Sequence, residues 1–199
     1  MAGIELLYSD DQTGFDARVR GSDNRENVSS RSDSRGYYNA RDRGQTYSVV
    51  FDFQSAANTE YGGYWQNNHP DGLQLIISHV GLNVEVAARL KMHYVTGTAA
   101  GGTAVTPLNE NRSSPNQAMG SGVVTAMEGA SAATGITGLT SVGVADFIGL
   151  PATGHDEFRT GDRIRLGIGD AIAIQYFQGA SGDDMWGTMF GYYEKKGQA

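Results

Sequence analysis

Cysteine is absent from the sequence, proline is rare, and long apolar runs are missing. Without cysteine the chain cannot form a disulfide framework, a thiolate nucleophile or a cysteine-based zinc site. No apolar run approaches the roughly 18 residues of a membrane-spanning helix, and the first eight residues lack the pattern of a signal peptide. We therefore expect a protein that is made soluble in the cytoplasm and has no membrane partner.

Charged residues are also scarce, because they make up 19% of the 199 residues. The formal net charge is -7, which gives no support to a nucleic-acid partner, since a phosphate backbone attracts positive charge. The 28 glycines favour tight turns between strands. They disfavour a helical bundle, where each interior glycine costs about 1 kcal/mol relative to alanine.

Residues 1–45 differ in composition from the rest of the chain and are predicted to form an extended N-terminal arm. Residues 9–45 contain seven of the twelve arginines but no lysine, and acidic residues are interleaved with them. Such a stretch cannot bury enough apolar area to be ordered alone. It is either a flexible, solvated leader or an arm that becomes ordered on a neighbouring subunit, which arginine favours through bidentate contacts with carboxylates. The candidate partner-binding residues are Arg31, Arg35, Tyr37, Tyr38, Arg41 and Arg43.

Residues 46–199 are predicted to form a β-sandwich domain, because apolar residues recur there at every second position. The first strand is predicted over 47–54, and a second begins with Leu73, Leu75 and Ile77. The longest alternation predicts a single strand over 82–95, with one apolar face made of Leu82, Val84, Val86, Ala88, Leu90, Met92 and Tyr94.

The middle of this domain is poor in large side chains. Residues 97–143 consist mainly of glycine, alanine, serine and threonine, and we expect long exposed loops there. Because 50 residues without regular structure would be unusual in a compact domain, short strands are predicted near 123–127 and 141–148.

Alternation returns towards the C-terminus. Inward-facing residues are predicted to be Ile164, Leu166, Ile168, Ile172, Ile174 and Tyr176. In the last strand, over 185–193, one side is expected to carry Trp186, Phe190 and Tyr192. About eight strands, with glycine-rich turns and no long amphipathic helix, indicate an all-β antiparallel β-sandwich that is jelly-roll-like.

Residues that could perform chemistry form no recognisable catalytic motif. His79 and His93 could share a metal ion with a carboxylate of a neighbouring strand, Asp52 or Glu85. The clustered histidine spacing of metal-binding jelly rolls is missing, however, so packed or solvated histidines are the simpler interpretation. The acidic loop 154–157 could hold a general base, but proximity in sequence is not a catalytic geometry, and a solvated turn is the favoured interpretation. Since no phosphate-binding loop or nucleophile elbow is present, we expect no enzymatic activity, no metal and no cofactor.

Three aromatic residues lie close together at Tyr61, Tyr64 and Trp65. Strand faces normally bury such side chains, so packing in the core or between subunits is the first interpretation. Exposed rings can also stack on sugars, which leaves carbohydrate binding as an alternative.

Four segments of the chain resemble small virion proteins of tailed bacteriophages. They are GYYNARDR at 36–43, HVGLN at 79–83, TPLN at 106–109 and GDRIRL at 161–166. The overall build, a polar arm before a cysteine-free β-sandwich with long small-residue loops, resembles capsid decoration (cement) and head-fibre proteins. The resemblance implies a protein on the outer surface of the capsid that clamps major capsid subunits, often as a dimer or trimer. It implies no catalytic residues.

The function expected from the sequence is therefore to bind and stabilise a phage capsid through contacts between subunits. A shell is stabilised by any protein that binds only its expanded lattice, and an arm that folds on docking can cover several subunits. Two alternatives stay open. One is a tail or fibre component that binds host-surface glycans, and the other is a free carbohydrate-binding module.

Overall fold

The computed structural model describes residues 6–10, 15–21, 26–28, 44–54, 61–116, 120–124, 135–176 and 184–195. Within these ranges no helix is long and apolar enough to cross a membrane. The strands are β1 Leu6–Asp10, β2 Phe15–Gly21, β3 Glu26–Val28, β4 Thr46–Gln54, β5 Tyr61–Asn67, β6 Gln74–Val84, β7 Ala88–Ala100, β8 Thr103–Val105, β9 Leu108–Asn109, β10 Gly120–Val124, β11 Thr137–Leu150, β12 His155–Leu166, β13 Ala171–Tyr176 and β14 Asp184–Glu194.

Strands β4 to β14 form two antiparallel sheets. A six-stranded sheet has the order β11-β7-β13-β5-β10-β8, and a five-stranded sheet has the order β12-β6-β14-β4-β9. The inner faces of both sheets contribute to one apolar core. The predicted all-β antiparallel sandwich is therefore confirmed.

The alternation of residues decides which face of each strand enters this core. In β4 the odd-numbered residues from Tyr47 to Phe53 are buried, whereas Val50 and Asp52 are exposed. Trp65 of β5 is fully buried and packs in the same core. Burial of a large apolar side chain contributes about 1.5–3 kcal/mol, so these strands hold the two sheets together.

The prediction of one strand over 82–95 is wrong. The chain leaves the five-stranded sheet after Val84, turns at 85–87, and enters the six-stranded sheet at Ala88. Both sheets face the same core, so even-numbered residues are buried on either side of the turn, while Val86 within it is exposed. The alternation correctly identified five buried residues, Leu82, Val84, Ala88, Leu90 and Met92. It could not reveal the turn, because even-numbered residues face the core both before and after it.

The segment 97–143 contains more regular structure than expected. Strand β7 continues to Ala100, three short strands follow, and β11 begins at Thr137. The predicted strands near 123 and 141 coincide with parts of β10 and β11. Small residues here form strands because their neighbours in the sheet supply the hydrogen bonds and the apolar contacts.

The inward positions of the C-terminal part are mostly confirmed. Ile164 and Leu166 are buried in β12, and the apolar residues of β13 are buried as well. Ile168 is an exception, because it lies in the turn between these two strands and is exposed.

In β14 Trp186 and Phe190 lie on one side, as predicted, and this side is the outer face of the sandwich, where Trp186 is 41% exposed and Phe190 is half-buried. Tyr192, which was predicted on the same side, is fully buried. Register with β4 places Trp186 opposite Asp52, which is exposed. The inner face of β14 instead contributes Met185, Met189 and Tyr193 to the core.

Two glycines explain this arrangement. A Cβ atom on Gly187 would lie 2.9 Å from the Phe51 ring, and one on Gly191 would lie 3.2 Å from the Trp65 ring. The inner face of β14 thus leaves space for large rings of its neighbour β4 and of β5 in the facing sheet.

The N-terminal region contains a further three-stranded antiparallel sheet, of order β1-β2-β3. Regular backbone pairing is thus present within the segment that the sequence predicted as an extended arm. Among the described strands these three pair only with one another. The six candidate partner-binding residues, Arg31, Arg35, Tyr37, Tyr38, Arg41 and Arg43, lie outside the described residues, so their role stays a prediction.

Candidate functional site

The outer face of the five-stranded sheet carries a groove across β12, β6, β14 and β4. The register of these strands sets the side chains in three rows, because directly paired residues share a face. The first row is His155, Asn83, Trp186 and Asp52, the second is Glu157, Gly81, Thr188 and Val50, and the third is Arg159, His79, Phe190 and Ser48. Residues from four distant parts of the chain therefore meet on one surface.

Gly81 forms the floor of this groove in the second row. A Cβ atom built on it would meet nothing within 4 Å, and its backbone does not have a positive φ. The glycine therefore leaves open space in the groove, and no backbone strain requires a glycine at this position. The groove has a volume of about 490 Å³.

Aromatic rings mark both ends of the groove. Trp186 is 41% exposed. Phe190 stacks on the imidazole of His79, with ring centroids 4.0 Å apart and planes inclined by 16°. Four residues along a strand separate Trp186 and Phe190, which corresponds to about 13 Å.

Charged and polar side chains flank these rings. Oε1 of Glu157 lies 3.7 Å from Nε2 of His79, and Oε2 lies 4.0 Å from the guanidinium of Arg159. Burial lowers the pKa of His79, and the nearby Arg159 lowers it further, while Glu157 and Glu110 oppose this shift. The imidazole of His79 is therefore mainly neutral at pH 7.

Asn83 and His155 form a hydrogen-bonded pair at the other end. Nδ1 of His155 lies 2.9 Å from Oδ1 of Asn83, and because an amide oxygen accepts, the imidazole donates this bond. In the part of the chain that the structure describes, no three histidine or acidic side chains are grouped to hold a metal ion. The groove thus offers stacking and hydrogen bonding.

A second surface lies along β11, at the edge of the six-stranded sheet. Three of its apolar side chains are exposed, Val142 by 64%, Val144 by 54% and Phe147 by 48%. We refer to these three residues as the β11 patch. The one charged residue of the strand, Asp146, pairs with Arg163 of β12 at 3.1 Å. Edge strands usually carry charges or prolines that prevent pairing with other chains, so this edge is unusually apolar.

The sequence singled out several residues of the groove for separate reasons. His79 and Asp52 were considered as metal ligands, and His155 and Glu157 as part of an acidic loop. The structure brings these four to the same face of one sheet. The exposure of Trp186 was missed, although the glycines at 187 and 191 are a signal that the inner face of β14 is crowded.

Other candidate residues lie elsewhere. His93, expected on a wet face, is only 6% exposed and lies between Ser141 and Gln175. Tyr64 and Trp65 are buried in apolar clusters, which confirms packing as the role of these two rings.

No protein-family model, curated protein or solved structure matches the chain. The fold and these two surfaces are therefore the features that indicate a function.

Proposed function

We propose that the protein is a non-enzymatic structural protein of a phage virion, which assembles on the outer surface of the capsid as a decoration protein. The observation that carries the proposal is the β11 patch, an apolar edge that is open to solvent in the single chain. The partner proposed for this edge is a second copy of the chain, in a dimer or trimer. The N-terminal residues 1–45 are proposed to contact major capsid subunits.

The apolar edge supports assembly for energetic reasons. Contiguous exposed apolar side chains are uncommon on monomeric proteins and mark sites of association. Covering Val142, Val144 and Phe147 removes apolar area from water, and each Å² contributes about 25 cal/mol. Asp146 is already paired with Arg163, and the ammonium of Lys91 lies 5.9 Å from the centroid of the Phe147 ring, so a partner that covers this strand meets these charges beside the apolar side chains.

The backbone of β11 limits how a partner can bind. Its register against β7 shifts at three places, between Thr137 and Leu139, between Ser141 and Gly143, and between Val144 and Asp146. Such bulges bend an edge and interrupt regular pairing with another strand. We therefore expect side-chain packing to dominate the contact, with strand addition restricted to the regular end of β11.

The order of the strands gives further support. We infer that the body is a jelly roll, because its main strands have the orders β4-β14-β6-β12 and β5-β13-β7-β11 once the short outer strands are set aside. The last strand then lies beside the first, as in two combined Greek keys. Jelly rolls occur in viral capsid proteins and in lectins, so this support is an analogy of fold.

Binding to capsids tests the proposal directly. Purified capsids from the source of the chain are mixed with the protein, sedimented and imaged by electron microscopy with a gold-labelled antibody. Regular labelling of the outer capsid surface is the expected result. Labelling confined to the tail would favour the fibre alternative, and the absence of the protein from all particles would refute a virion role.

A double variant tests whether the β11 patch contributes to capsid binding. Replacing Val142 and Val144 together with aspartate should weaken capsid binding, because assembly of copies strengthens attachment through several simultaneous contacts. Val86→Asp is the matched control, since Val86 is an exposed valine in the turn between β6 and β7 and is not part of the β11 patch. Equal capsid binding by the double variant would exclude the patch from the attachment.

A further inference from the structure

We propose that the groove around Gly81 binds a neutral oligosaccharide, with one sugar ring stacked on Trp186. This site is on the outer face of the five-stranded sheet, whereas the β11 patch belongs to the other sheet. Carbohydrate binding is therefore independent of the proposed assembly, and either can fail without the other.

The exposed indole is the first argument. A sugar ring presents a face of C–H groups, which packs on an aromatic ring while the hydroxyls point outwards to polar partners. Trp186 is 41% exposed although β14 is the central strand of the five-stranded sheet. Tryptophan combines a large apolar area with few rotatable bonds, so it orders at little entropic cost when a ligand covers it.

The polar neighbours are the second argument. The row of Trp186 contains the hydrogen-bonded pair of Asn83 and His155, and the next row contains Glu157 and Thr188. Amide, imidazole, carboxylate and hydroxyl groups accept and donate hydrogen bonds in fixed directions. A binding site for a polyol needs such groups beside an apolar surface, and the groove supplies both.

The charged side chains that line the groove favour an uncharged ligand. Among the residues that the structure describes, two carboxylates, Asp52 and Glu157, line the groove, and its lining includes no lysine or arginine. Arg159 borders it and is already within 4.0 Å of Glu157. A phosphate, a nucleic acid or an acidic sugar would meet repulsion here, whereas uncharged hydroxyls would not.

The shape of the groove is the third argument. Gly81 leaves open space on its floor, and the rings of Trp186 and Phe190 are about 13 Å apart along the strand. A ligand can lie over Gly81 with an aromatic ring at each end. The distance of about 13 Å between the two aromatic positions suits a short chain of sugars better than a single sugar.

Fluorescence quenching gives a site-specific test, because the chain has two tryptophans. Trp65 is fully buried and Trp186 is exposed, so acrylamide should quench Trp186 selectively. The full chain is titrated with a panel of neutral oligosaccharides of gluco, galacto, manno and N-acetylated types. We expect at least one of them to protect Trp186 from the quencher. If none protects it at millimolar concentration, the proposal is overturned.

Two variants verify the position of the ligand by calorimetry. Trp186→Ala should weaken the binding by about tenfold or more, as expected for the loss of an aromatic anchor. Gly81→Val should fill the floor, which is open space, and abolish binding while the protein stays folded. Gly149→Val is the matched control, because Gly149 also faces open space but lies on β11. Binding by Gly81→Val that equals the wild type would refute the groove as the site.

A cationic peptide is the competing ligand, since it could combine the two carboxylates with a cation–π contact to Trp186. A peptide of alternating lysine and serine is therefore titrated under the same conditions. Protection of Trp186 by the peptide together with no protection by any oligosaccharide would overturn the carbohydrate proposal. Protection by an oligosaccharide that disappears in Gly81→Val would support it.

Discussion

The imidazole of His93 in β7 lies 2.7 Å from the hydroxyl of Ser141 in β11, while its other ring nitrogen lies 2.9 Å from Oε1 of Gln175 in β13. The amide oxygen accepts, so Nε2 carries a proton, and Nδ1 of the neutral ring accepts from the serine hydroxyl. His93 of the middle strand β7 thus connects side chains of β11 and β13, the two strands that pair with β7 through the backbone.

This contact predicts a dependence of stability on pH. Burial is the main cause that lowers the pKa of His93, with a further contribution from Lys91, and the hydrogen bond with Gln175 opposes both. The unfolded chain therefore binds more protons than the folded one below a pH of about 6.5. The free energy of unfolding should hold its full value above that pH and decrease as the pH falls through it.

Urea unfolding at about pH 7.5 and about pH 5.5 measures this effect. The variant His93→Gln should lose less of its free energy of unfolding between the two conditions than the wild type. Thr140→Ala, an exposed position on β11, serves as the control and should behave as the wild type. An equal loss in His93→Gln would show that His93 does not contribute to the pH dependence.

A pair of glycines shapes the contact between β7 and β11. Gly97 and Gly138 both have positive φ, of 104° and 76°, and a Cβ atom on Gly97 would collide with the carbonyl oxygen of Gly138. Gly97→Ala should therefore lower the free energy of unfolding by about 1–3 kcal/mol. Gly143→Ala is the control, because Gly143 faces open space. Thermal unfolding that is equally affected in both variants would contradict this explanation.

Asn67 connects three parts of the sandwich at the end of β5. Its amide nitrogen donates to the carbonyl oxygens of Leu73 and Leu166, both at 2.8 Å, and the side chain is fully buried. Asn67→Ala would leave buried carbonyl groups without this donor, so we expect a loss of about 2–4 kcal/mol in unfolding free energy. The neighbour Asn68 is exposed, and Asn68→Ala should change stability by less than about 0.5 kcal/mol.

The orientation of β14 gives a fourth prediction. Met189 is buried in the core, whereas Phe190 lies on the outer face. Met189→Ala should cost about 2–5 kcal/mol, the range for emptying a core position, and Phe190→Ala should cost clearly less. Chemical denaturation that ranks the two variants in the opposite order would show that β14 presents the other face to the core.

The sequence alone predicts much of the fold. Period-two alternation identifies the buried faces of β4, β12 and β13, because those strands have one apolar side. It could not locate the turn at 85–87, because even-numbered residues are apolar and face the same core both before and after the turn. It also could not show which side of β14 is buried, since that depends on the space that Phe51 and Trp65 occupy.

The candidate site was much harder to predict. Trp186, Gly81 and His155 are separated by many residues, and the register of three strands brings them together. No local motif encodes that register. The sequence could identify His79 and Glu157 as candidate residues for chemistry or ligand binding. It could not show that they lie close together.

Sedimentation velocity over a wide range of protein concentrations tests the assembly proposal most directly. We expect the wild-type chain to form a dimer or trimer, Val86→Asp to do the same, and the variant with both Val142→Asp and Val144→Asp to sediment as a folded monomer. Circular dichroism verifies that the double variant keeps its strand content. A wild-type chain that is monomeric at every concentration, or a double variant that assembles like the wild type, would contradict the assembly of this protein through its β11 edge.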